Sequence, residues 1–246
     1  MASVDLAFGV RGARRIVFAA LTGADERAGS TADAMLARLA LPGDGTVSGT
    51  AIDELSVGDR DRALAALYGA LYGDDIVADA TCSACAGRYE IRFGLSALAG
   101  SRQPDGSASG EPPVVHLGGS VLRLPRWTDI DGSPETLLDR LTVSGPIPAI
   151  EAAATAIEAA DPSLELDLAG TCPECEAAQA VSFSMAGFLG AALRRDRAFL
   201  MREVHLLAST YHWSHGEILS LTRAERQGYA RLLIGEREAA PLRRVS

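Results

Sequence analysis

Apolar and polar residues alternate most regularly in two stretches of the chain, "RYEIRFGLS" and "AQAVSFSMA", which place Ile91, Phe93 and Leu95, and Val181, Phe183 and Met185, on one face. A period of two predicts half-buried strands. Upstream of each stretch the same order of elements recurs: a short apolar strand ("RRIVFAAL", "GSVLRLP"), a loop carrying Asp25 or Asp129, and a helix. A second helix follows in each half. One is "SVGDRDRALAALYGALYG", with Ser56 and Asp59 at capping-box spacing, and the other is "IPAIEAAATAIEAADPS". Beyond residue 190 the period becomes helical, with Leu193, Leu200, Val204, Leu207 and Tyr211 in one stripe. Ser214 with Glu217, and Thr222 with Glu225, have the spacing that opens two further helices. Trp213 is placed as a hydrophobic staple, and Leu221, Tyr229, Leu232 and Leu233 are placed for packing.

The similarity between the halves is closest at the alternating stretches. "TCSACAGRYEIRFGLSALAG" from Thr81 and "TCPECEAAQAVSFSMAGFLG" from Thr171 align without a gap over twenty residues, at an offset of 90. The threonines, both cysteines, Phe93 with Phe183, and Gly100 with Gly190 coincide. The body is therefore expected to be α+β, a tandem duplication of strand, helix, helix, strand, C-x-x-C turn and strand, related by a pseudo-twofold axis. The expected organisation is a first unit over 1–100, a linker over 101–116, a second unit over 117–190 and a C-terminal three-helix module over 191–246. The linker "GSRQPDGSASGEPP" is rich in Gly, Ser and Pro and carries no motif.

Composition narrows the class. With 246 residues, 48% of them hydrophobic, the chain can bury a sizeable core. No window approaches a membrane span and the first residues lack a secretory pattern, so a cytoplasmic location is expected. All 23 basic residues are arginine, which reflects codon usage more than function. The net charge of −9 is unevenly spread: residues 1 to 190 hold 13 Arg against 26 acidic residues, and residues 191 to 246 hold 10 against 6. The basic end reads either as a solvated helical surface or as a docking face for an acidic partner, the chain's own body included.

The only cysteines are Cys82, Cys85, Cys172 and Cys175. Redox chemistry is disfavoured, because a thioredoxin-like pair opens a helix whereas each pair here precedes a strand. In a cytoplasmic protein two C-x-x-C pairs favour zinc over disulfides or inert thiols. A pseudo-twofold axis brings both pairs to one closed, structural four-cysteine zinc site with no open position for catalysis.

Other candidates are weaker. "GDGTVSG" lacks the ending of a phosphate loop and reads as a turn. His212 and His215, in "YHWSHGEIL", belong to a helix start and lack further ligands nearby. No nucleophile with its base is apparent, so no catalytic residue and no small-molecule substrate is expected. Three C-terminal helices raise a nucleic-acid-binding or regulatory alternative, which the acidic total and Glu225, Glu236 and Glu238 disfavour.

The segment "MREVHLLASTYHWSHGEILSLTRAERQGYARLL" resembles the C-terminal half of baseplate hub proteins and hub assembly chaperones of contractile phage tails and contractile injection systems. The resemblance rests on Glu203, Val204, His205, Leu207, Ala208, Tyr211, Trp213, Ser214, Glu217, Ile218, Leu219, Arg223, Arg226 and Tyr229. "LTGADE" and "LSVGDRDRALAALYGALYGD" extend it to the first half. The chain departs from the family pattern after each cysteine pair, with Ala86-Gly87 and Glu176-Ala177 where glycine commonly follows directly. The resemblance implies a non-enzymatic part of a baseplate, or of its assembly, whose partners are other baseplate or tail proteins. Trp213, Ile218, Leu219 and Tyr229 are the candidate partner-binding residues, with packing in the module's own core as the alternative.

Overall fold

The chain opens with a hairpin where a single strand is expected. In the computed structural model, which describes residues 1–29, 31–104 and 114–239 apart from the side chains of 237–239, β1 (Ser3–Val10) pairs antiparallel with β2 (Ala13–Val17). Val10 faces Ala13, so Arg11 and Gly12 form a two-residue loop, and both have positive φ, 50° and 84°. That is the type I′ geometry whose twist matches its flanking strands. Most of the Gly/Ser/Pro-rich stretch, and residues 240–246, lie outside the described residues.

The first half continues with α1 (Gly23–Ala28), α2 (Ala32–Leu39), a 3-10 turn (Gly49–Glu54), α3 (Val57–Tyr72), β3 (Asp75–Thr81), β4 (Arg88–Gly94) and α4 (Leu95–Ser101). The second comprises β5 (Val114–Leu117), β6 (Ser120–Arg123), α5 (Pro134–Leu141), β7 (Thr142–Ser144), α6 (Ile150–Ala160), β8 (Glu165–Thr171) and β9 (Ala178–Ser184). Helices α7 (Met185–Tyr211), α8 (His215–Ser220) and α9 (Arg223–Ala239) end the described chain. Small antiparallel sheets beside helices make this an α+β protein. Among the described residues no helix is long and apolar enough to cross a membrane.

Four boundaries differ from expectation. Residues 114–116, assigned to the linker, belong to β5, which β6 pairs through a Gly118-Gly119 turn. Leu95 and Met185 are not strand residues but the first residues of α4 and α7, both buried. The division at 190/191 falls inside α7, one continuous helix of 27 residues.

The cysteine hairpins keep one register. Asp75 faces Gly94 and Thr81 faces Arg88; Glu165 faces Ser184 and Thr171 faces Ala178, each pair 90 residues on. The two loop aspartates also behave alike. Asp25 accepts from the Thr22 N–H at 3.0 Å and from Arg38 at 2.6 Å, and Asp129 accepts from the Arg126 N–H at 2.8 Å and from Arg123 at 2.7 Å.

The main core draws on both halves: Ile16, Leu36, Leu64 and Ile76 pack in one cluster with Leu164, Phe183, Met185 and Leu189. Charged residues at the start of α3 complete the junction. Ser56 caps the helix by accepting from the Asp59 N–H, but Asp59 does not complete a capping box. Its carboxylate instead accepts the backbone N–H groups of Ala7, Phe8 and Gly9 at 2.7, 2.9 and 2.8 Å. Arg62 bridges Asp59 to Asp161 of the second half, Asp161 accepts from the Gly58 N–H at 2.8 Å, and Asp61 accepts from the Leu164 N–H at 2.8 Å. A Cβ on Gly58 would lie 2.1 Å from the Asp161 carboxylate, so only glycine allows this approach.

The C-terminal helices dock on the first half through two helix starts set back to back. Gly23 N–H donates to the Leu221 carbonyl at 3.2 Å and Arg223 N–H to the Leu21 carbonyl at 2.7 Å. Beneath this pairing Arg226, 1% exposed, donates to Glu26 of α1 at 2.5 Å and to Glu203 of α7 at 2.6 Å.

Candidate metal centre

Each C-x-x-C pair occupies the tight turn of its hairpin. In the first, Cys82 N–H donates to the Gly87 carbonyl at 2.9 Å and Ala86 N–H to the Cys82 carbonyl at 3.0 Å. In the second, Cys172 N–H donates to the Ala177 carbonyl and Glu176 N–H to the Cys172 carbonyl, both at 3.0 Å. The residue after the second cysteine is left-handed in both, with φ of 60° at Ala86 and 59° at Glu176. This is the conformation that glycine adopts without strain. The turns thus keep the expected tightness, at the cost of strain in a non-glycine residue.

The turns meet. Cys82 Sγ lies 3.6 Å from Cys175 Sγ, and Cys85 Sγ lies 3.8 Å from Cys172 Sγ, so each contact crosses between the halves. All four sulfurs fall within 4.8 Å of one another. A disulfide needs about 2.05 Å, so these are not bonded pairs. A tetrahedral ion with metal–sulfur bonds of about 2.3 Å requires sulfur–sulfur edges of about 3.8 Å. The four cysteines therefore lie close enough to share one metal ion, and the donor set fits a tetrahedral one. Cys82 and Cys172 are buried, whereas Cys85 and Cys175 are exposed.

Surrounding groups favour thiolate at Cys82. The backbone N–H of Cys85, followed by that of Ala84 at 3.3 Å, pulls the Cys82 thiol down to about 7 against its desolvation. Cys85 accepts from the Gly87 N–H, which lowers its pKa, yet the neighbouring Cys175 and Cys82 sulfurs drive it up to about 12. Four thiolates this close repel one another unless a cation lies between them. Outside the sulfurs, Ser83 donates from its N–H and hydroxyl to Gln179 Oε1 at 2.9 and 3.1 Å, a second link between the halves. Phe93 and Phe183 meet edge to face at 5.3 Å farther along the hairpins.

The candidate partner residues are divided by the fold. Ile218 and Leu219 are buried with Leu200, Val204, Leu207 and Leu233 in the module's own core. Trp213 is half-buried, stacks on Tyr211 at 4.8 Å and meets Tyr229, 37% exposed, edge-on at 5.1 Å. Leu232, expected to pack, is 61% exposed, and Leu233 takes the buried position. Both capping boxes are present, with Ser214 N–H donating to Glu217 at 2.8 Å and Thr222 N–H to Glu225 at 2.9 Å. The basic end engages the acidic body through the Arg226–Glu26 pair. The buried Gly58-Asp59-Arg60-Asp61-Arg62 run has no local signature in the sequence, because charges at a helix start read as solvated or capping. Set against known protein families, curated proteins and solved structures, the chain has no match.

Proposed function

We propose that this chain is a non-enzymatic structural or assembly component whose two halves, a tandem duplication, are stapled by one zinc ion on Cys82, Cys85, Cys172 and Cys175. The observation that carries this reading is the crossed meeting of thiols from two turns 90 residues apart, at tetrahedral spacing. The common hairpin register and the matching bonds of Asp25 and Asp129 support the duplication. Bound zinc would supply structural cross-linking rather than chemistry, because four cysteine ligands leave no place for water or substrate.

The setting we propose is the baseplate of a contractile phage tail or injection system, with other baseplate or tail proteins as partners. It is supported by the residue pattern from Glu203 to Tyr229, in which Ile218, Leu219 and Arg226 build the module and Trp213 and Tyr229 reach its surface. Metal analysis of protein purified without added metal is expected to give one zinc per chain and no visible absorption. Iron with a coloured thiolate spectrum would change the metal, and no metal, or disulfides among the four cysteines, would sink the staple. Deleting the gene in a host that makes sheath-and-tube particles is expected to leave them without complete baseplates; normal particles would remove the proposed setting.

A further inference from the structure

A cleft of about 600 Å³ opens between the cysteine hairpins. Residues 89–94 of β4 line it in unbroken succession, as do residues 168–171 of β8, together with Ala97 and Leu98 of α4. Successive side chains of a strand point to opposite faces, so a cavity that touches every residue in turn runs along the strand's edge. Among the described residues β4 pairs only with β3, and β8 only with β9. In an antiparallel pair alternate residues turn their N–H and C=O away from the partner, so each of these edges carries a row of unpaired donors and acceptors.

We propose that this cleft is a docking site for an extended segment of another protein, which adds as a strand to the free edge of β4 with β8 as the opposite wall. The chemistry selects the occupant. Alternating donors and acceptors at a repeat of about 3.3 Å are matched by a peptide backbone and by little else. Phe93, Leu98, Leu168 and Val181 give the cleft apolar lining for alternate side chains of the incoming strand. The six lining residues of β4 cover about 20 Å, enough for a short strand, and the volume lies within the roughly 300–1,000 Å³ of ligand sites. A second copy is a poor occupant, since both molecules carry a net charge of −9. The site is separate from the metal reading, although Thr171 and Pro173, on either side of Cys172, lie at its margin.

The test uses the full chain and a phage-displayed library of random twelve-residue peptides. Enriched peptides are expected to alternate apolar and polar residues, to bind with micromolar Kd, and to slow amide exchange in residues 89–94. N-methylating alternate peptide bonds should weaken binding at least tenfold. The blocking variant is Gly170→Trp, because a Cβ at Gly170 meets nothing within 4 Å and the substitution fills the cleft without touching hairpin hydrogen bonds. Its fold is checked by circular dichroism, and Ala97→Trp serves as a second blocker from the exposed side of α4. Both should abolish binding. The proposal is overturned by a library that yields no binder, by enriched peptides that both blocked variants bind normally, by tolerance of N-methylation, or by protection outside β4 and β8. Dimerisation through the same edge, seen as a doubled mass in light scattering and lost in Gly170→Trp, would replace the partner segment with a second copy and also overturn it.

Discussion

Ala86 and Glu176 each hold a left-handed backbone that a Cβ disfavours, and they do so at equivalent points of two turns. The strain belongs to the residue and not to the turn, so glycine should relieve it. Ala86→Gly and Glu176→Gly are each expected to raise stability by about 0.5–1 kcal/mol, the relief of about 1–2 kcal/mol being partly offset by glycine's greater freedom when unfolded. Urea unfolding of the metal-loaded protein checks this, and a loss of stability would contradict it. Asp61 shows a different residue-scale effect. Burial pushes its carboxyl up to about 6 in spite of the Leu164 N–H and Arg60, which pull it down. A folded pKa above the unfolded value means that the folded state binds the extra proton between about pH 4 and pH 6, so stability from this group falls as pH rises through that window. Between pH 4 and pH 7 the balance between parent and Asp61→Asn should therefore move on the order of 2 kcal/mol in the variant's favour. Denaturation curves at four pH values would show it, and a pH-independent difference would refute it.

At the scale of elements, the attachment of α8 and α9 to the body depends on a buried charge cluster. Arg226 separates the carboxylates of Glu26 and Glu203, and burial already pushes Glu26 up. Removing Arg226 leaves the buried Glu26 facing the half-buried Glu203 with only Arg223, at 3.8 Å, to offset its charge, a loss of about 3 kcal/mol. Arg226→Ala is therefore expected to speed amide exchange throughout α8 and α9 while β3, β4, β8 and β9 keep their protection. Uniform exchange across all of these elements would show that the module does not open separately. The stripe from Leu200 to Leu207 and the two capping boxes made these helices legible in the sequence. Their docking was not legible, because Glu26 lies 200 residues from Arg226 and no local pattern links them.

For the molecule as a whole, the junction of the halves has three parts: the shared core, the charges around α3, and the cysteine turns. The turns were legible because their spacing, Phe93 and Phe183 repeat without a gap. The charges were not, since Asp59 serves the backbone of β1 some 50 residues earlier, a purely tertiary arrangement. The first hairpin escaped for a local reason: Arg11-Gly12 makes a type I′ turn with an arginine where asparagine or aspartate is the usual signal. With core and charges intact, chelation should leave a folded but weakened protein. Even a third of the roughly 10–16 kcal/mol supplied by structural zinc sites, about 3–5 kcal/mol, would lower Tm by about 7–20 °C. Calorimetry with and without chelator checks this, and an unchanged Tm would show that the cysteines contribute no staple.

The crossed burial of the sulfurs also has a kinetic consequence. The two exposed thiols, Cys85 and Cys175, belong to different halves, while each buried one lies opposite the other half's exposed partner. A competing ligand can reach the site only from the exposed side, and displacing either outer thiol leaves three ligands that still span both halves. Loss of a bound ion would therefore proceed by successive detachments, each readily reversed, so that exchange is far slower than the equilibrium affinity alone implies.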